Sequence, residues 1–140
     1  MVLLLALPIA IIDTVLLLKL MKPEMGSRSN PAELQRHINS SLIRFTFAVQ
    51  LVTEVCTGSK VAGGIFSFLL SMAAGILSAR DLSPNIISEL FMNVFMGISM
   101  GIMLIGHLPL FIAILLITPA LLSSGLAFLH TTQFAHRARK

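Results

Sequence analysis

Apolar residues along this chain fill whole segments instead of recurring on one face of each. Five runs are poor in charge, at 2–21, 41–56, 61–79, 85–105 and 108–129, and polar residues gather between them. Most of these runs approach the ~20 residues that an α-helix needs to cross the hydrocarbon core of a bilayer. None alternates apolar and polar residues with period two, so the pattern argues against a closed β-barrel, the other structure that satisfies its backbone in lipid. The expected fold is all-α and integral to a membrane: five transmembrane helices in an antiparallel up-down bundle, one domain over 1–140. The first run lacks the basic leader and the small-residue cleavage site of a signal peptide, and is read as a retained span.

The second run is the least typical, being short and holding Arg44, Gln50 and Glu54. Charge bias argues that it crosses. With five spans and the N-terminus outside, Lys19, Lys22, Arg28, Arg36, Arg80, Arg137, Arg139 and Lys140 fall on the inner side and Lys60 alone outside, as the positive-inside rule favours. If the second run did not cross, Arg80 and the basic tail would move to the outer side, away from Lys19, Lys22, Arg28 and Arg36. The connections then become an inner loop at 22–40, where Pro31 can open a short amphipathic surface helix, and tight turns at 57–60, 80–84 and 106–107. Ser83 or Asp81 is placed to cap the helix that Pro84 begins.

Composition agrees with this pattern. Hydrophobic residues make up 56% of the chain and charged residues 11%, less than half the share usual in soluble domains. The net charge of +4 comes from basic residues scattered at the ends of apolar runs, without interleaved aromatics, which points to membrane orientation and away from nucleic acid. The expected surroundings are the lipid bilayer of a bacterial inner membrane or an organelle. Trp and Tyr are absent, so the usual interfacial aromatic belt is missing. A chain surrounded by other membrane subunits, or by copies of itself, needs that belt less.

Small residues recur at every fourth position in the third run, at Gly63, Ser67, Ser71 and Gly75, and the fourth run carries the pair Gly97 and Gly101. Such strips let helix backbones approach closely, either within the chain or against another subunit. The stripe of the fourth run continues back through Asn93 to Glu89.

Three acids lie inside runs, where an acid at the centre of a helix costs about 2.5–3.5 kcal/mol to insert. Asp13 is near mid-depth, Glu54 near the outer end and Glu89 near the inner end. In one reading they form, with Gln50 and Asn93, an intramembrane polar seam that carries protons or cations. In the other, Asp13 pairs with Arg44, whose side chain can reach its depth, and the two glutamates meet water near the helix ends. Ser40 and Arg44 also have the Ser-x-x-x-Arg spacing that a quinone carbonyl can use, although a capping Ser and a snorkelling Arg explain it as well.

Neither a cofactor nor a metal is expected. His37, His107, His130 and His136 lie at helix ends, away from the depth of a haem, and Met92, Met96, Met100 and Met103 have no Cys or His beside them to complete a copper site. Cys56 has no neighbouring His that would make it a nucleophile. Pro119 is expected to kink the fifth run. The functional expectation is a small non-catalytic subunit or assembly partner of a larger membrane complex. The alternative is a small homo-oligomeric transporter or channel moving protons or cations along Asp13, Glu54 and Glu89.

Overall fold

The computed structural model describes residues 2–20, 31–79, 83–104 and 109–137. The described chain is helical, in five helices: α1 (Val2–Leu20), α2 (Pro31–Thr57), α3 (Lys60–Ser78), α4 (Pro84–Leu104) and α5 (Leu110–Arg137). Four of them, α1, α3, α4 and α5, are long and apolar enough to cross a membrane; α2 is not apolar enough.

The boundaries differ from the sequence reading in two places. Residues 31–40, assigned above to the inner loop, are the first turns of α2, which runs without a break to Thr57. Pro31 suits a first helical position because its missing N–H would have no partner there. Leu34 and Ile38, one turn apart, are buried against Leu17 and Leu20 of α1. The polar Ser40 and Ser41 resemble a cap, but their hydroxyls turn to Arg44 of the next turn, so the helix continues. Likewise α5 extends beyond residue 129 to Arg137, because apolar composition marks where lipid ends and not where helical hydrogen bonding ends. It passes through Pro119 as one helix. Lys22, Arg28, Asn30, Arg80, Asp81, the 106–107 turn, Arg139 and Lys140 lie outside the described residues.

The turn at 57–60 is well defined. Gly58 ends α2 in the left-handed region at φ 67°, which glycine adopts without penalty, and its N–H bonds Glu54 O at 2.8 Å. Ser59 then caps α3, its hydroxyl accepting from Ala62 N at 3.3 Å.

Helix α2 is the axis of the bundle. It runs opposite to α1 and α3: Asp13 meets Arg44 across one pair, and Gly63 and Gly75 lie at Gln50 and Leu42 across the other. It runs alongside α4, with Gly97 at Ile43 and Gly101 at Gln50. Helix α5 packs along α1 and closes over α2, where Ala113 and Ile117 join Ile9, Phe47, Ala48 and Leu51.

From Arg44 to Leu51 every residue of α2 is buried, more than two full turns, so all faces of the helix are covered there. In the other four helices no more than 28% of the most apolar stretch is buried. The least apolar helix is thus the most enclosed, the reverse of a water-soluble domain. In lipid this ordering is favourable, because four apolar helices lose little by facing hydrocarbon while a polar helix avoids it.

Candidate functional site

Polar side chains buried by the bundle fall into two groups on different sides of α2. The first centres on Arg44, whose guanidinium carries five N–H donors in a fixed planar fork. All five have acceptors. Nη2 donates to Asp13 Oδ1 at 3.0 Å and to Ser41 Oγ at 3.2 Å; Nη1 donates to Ser40 Oγ at 2.7 Å and Ser123 Oγ at 3.1 Å; Nε lies 3.3 Å from each Asp13 oxygen. Asp13 is fully buried and accepts a further bond, 2.7 Å long, from Ser124 Oγ.

Each helix supplies its part for a local reason. Ser40 and Ser41 lie four and three residues before Arg44, on the same face of α2. Ser123 and Ser124 are consecutive on α5 and diverge by about 100°, so one reaches the guanidinium and the other the carboxylate. The pairing of Asp13 with Arg44 follows the depths at which the sequence places them. The contribution of Ser123 and Ser124 was not visible in sequence. The pattern that could have found them is two adjacent hydroxyls inside an otherwise apolar run. The Ser40–Arg44 donors available to a quinone carbonyl are engaged within the chain.

The second group lies between α2, α3 and α4. Gln50 Nε2 donates to Glu54 Oε2 at 3.1 Å, and Ser67 Oγ lies 2.8 Å from Gln50 Oε1 and 2.7 Å from Gly63 O. The small-residue strips make this possible. A Cβ on Gly63 would come within 3.0 Å of Gln50 Nε2, and one on Gly101 within 2.5 Å of Gln50 Cγ. Gly97 admits the α2 backbone itself, since a Cβ there would meet Ile43 O and Thr46 Cβ at 2.8 Å. A Cβ on Gly75 would meet Leu42 and Leu90 at 3.2 Å. Ser71, on the same strip, is buried and its Oγ has no hydrogen-bond partner. Both strips therefore pack inside the chain, against α2.

The remaining sequence candidates are not gathered with these groups. Glu89 is exposed on α4, and Asn93 is partly exposed with its Nδ2 buried and unpartnered. Glu54 is ten residues beyond Arg44 on α2, about 15 Å along the axis, and faces α3 where Arg44 faces α1 and α5. No hydrogen bond among the described residues joins Asp13, Glu54 and Glu89 into one seam.

Elsewhere, Lys19 Nζ stands 4.5 Å over the Phe128 ring, and the rings of His37 and His130 lie 6.0 Å apart, tying the ends of α1 and α2 to α5. Cys56 is exposed. Among the described residues no three metal-ligating side chains come together.

The class defined by these features is an all-helical protein in which four potential membrane-crossing helices enclose a polar fifth. Comparison with protein families, with curated proteins and with solved structures finds no match.

Proposed function

We propose that the chain is a five-span integral membrane protein, with its N-terminus outside and its C-terminus on the positively charged inner side, that serves as a non-catalytic subunit or assembly partner of a larger membrane complex. The host is a bacterial inner membrane or an organelle membrane. Enclosure of α2 by four apolar helices supports its crossing despite Arg44 and Glu54, because both charges are withdrawn from lipid.

The observation that carries the assembly role is the outer face of α4. Met92, Met96, Met100 and Met103 are 66%, 55%, 47% and 70% exposed there, on the side away from α2. Methionine is flexible and polarizable, and is enriched in protein interfaces relative to other surface. A lipid-facing surface has no need of it when Leu or Ile would serve, as on the outer face of α5 at Leu115, Leu116, Leu122 and Leu126. The partner chemistry that fits is an apolar transmembrane helix of another subunit.

The test is photocrosslinking in the native membrane from positions 92, 96 and 103, compared with Leu77 and Leu126 as lipid-facing controls, followed by native mass spectrometry of the gently extracted protein. A single partner mass of fixed stoichiometry, crosslinked from the Met face only, supports the assignment. A monomer that crosslinks to nothing, or equally from all positions, removes it.

One feature favours a second reading, the small homo-oligomeric transporter. Glu54 is a carboxyl buried inside the bundle with the amide of Gln50 as its hydrogen-bond partner, and ionisable groups held within membrane helices are the ones that line ion paths. Proton or cation flux in liposomes that is abolished by Glu54→Gln, with folding intact, would move the balance to transport.

A further inference from the structure

Between the outer faces of α3 and α4 runs an open groove of about 400 Å³. Gly64 and Phe68 of α3 and Phe95, Ile98 and Ile102 of α4 line it, with Lys60 at one end as the single charged side chain. Gly64 leaves room in it: a Cβ there would have Ile98 Cγ2 as its nearest neighbour, at 3.9 Å. On α3 it extends from Lys60 to Leu69, nine residue steps or about 13.5 Å of helix. That is close to half of the ~30 Å hydrocarbon core, the depth of one leaflet. Lys60 and the capped N-terminus of α3 put positive charge at the end where that leaflet meets its headgroups.

We infer that this groove is a binding site for one anionic phospholipid, its acyl chain lying along Gly64, Phe68 and Phe95 and its phosphate at Lys60. An apolar slot one leaflet deep, closed by a cation at its interfacial end, has the length and the charge of such a lipid. On α3 the lining ends at Leu69, a length that suits an acyl chain in one leaflet better than a partner's transmembrane helix, which crosses both. The inference rests on the membrane-inserted part of the proposed function but not on the subunit role. Resistance of the protein to carbonate extraction tests insertion by itself, so failure there is distinguishable from failure of the lipid site.

The experiment is native mass spectrometry of the full chain in mild detergent, titrated with phosphatidylglycerol or with phosphatidylcholine of the same acyl chains. Wild type is expected to retain one phosphatidylglycerol at least fivefold more strongly than phosphatidylcholine. Lys60→Gln should abolish that preference while leaving the phosphatidylcholine level unchanged. Gly64→Leu should fill the slot and remove retention of both. If Gly64→Leu lowers the melting temperature, Ile102→Phe serves as the filling variant. Equal retention of the two lipids by wild type overturns the inference, as does undiminished lipid binding in a folded filling variant. A dimer mass that disappears in the filling variant also overturns it, assigning the groove to a second copy of the chain.

Discussion

Gly101 of α4 lies so close to Gln50 of α2 that a Cβ at position 101 would come within 2.5 Å of Gln50 Cγ and 2.9 Å of its Cβ. These atoms are next to the α2 backbone and cannot swing aside as the end of a long side chain can, so even one methyl group at 101 must push the two helices apart.

Gly101→Ala is therefore expected to destabilise the bundle by about 1–3 kcal/mol, the usual cost of overpacking. Gly64→Ala, whose Cβ meets its nearest neighbour at an ordinary 3.9 Å, should be near neutral. Unfolding in detergent, followed by helical signal, measures both. Equal tolerance at the two positions would show that α2 and α4 are not in close contact.

Removing one member of the Asp13–Arg44 pair should be worse than removing both. A single unpaired charge in the core costs about 3–5 kcal/mol, whereas a double neutral replacement leaves no charge to solvate. Folded yield for Asp13→Asn, Arg44→Gln and the double variant gives the comparison; a double variant no better than the worse single would contradict the pairing. Arg44→Lys should also lose yield, because an ammonium has three donors and cannot reproduce the five contacts of the fork.

The two α5 serines should separate in effect. Ser124 is fully buried and donates to Asp13 at 2.7 Å, so Ser124→Ala takes a partner from a buried carboxylate and should cost about 1–3 kcal/mol. Ser123 is exposed, and Arg44 Nη1 keeps its shorter bond to Ser40 when Ser123 is lost. Ser123→Ala should be the milder change in the same unfolding assay.

Topology can be read with single cysteines placed in a Cys56→Ser background, which removes the exposed native thiol. Positions 60 and 107 should label from one side of the membrane, and positions 22, 80 and 139 from the other. Labelling of 60 and 80 from the same side would eliminate the five-span arrangement.

What could be read from the sequence by itself was whatever depends on one residue's own preference for water or lipid. Long apolar runs marked helices, since lipid forces the backbone to satisfy its own hydrogen bonds. Four-residue spacing of Gly63, Ser67, Ser71 and Gly75 marked a strip for close packing, and the depths of Asp13 and Arg44 made them partners if α1 and α2 were neighbours. The start of α2 was not legible, because Ser40 and Ser41 look like a cap until the acceptor role of their hydroxyls toward Arg44 is known. Only the tertiary structure decided that α2 is the axis, that the glycines of α3 and α4 both open onto Gln50, and that Ser123 and Ser124 complete the Asp13–Arg44 site from α5. These are relations between helices. A strip of small residues marks a close contact without naming the neighbour, and that choice is made by side-chain shape and by hydrogen bonds that exist only once the helices meet.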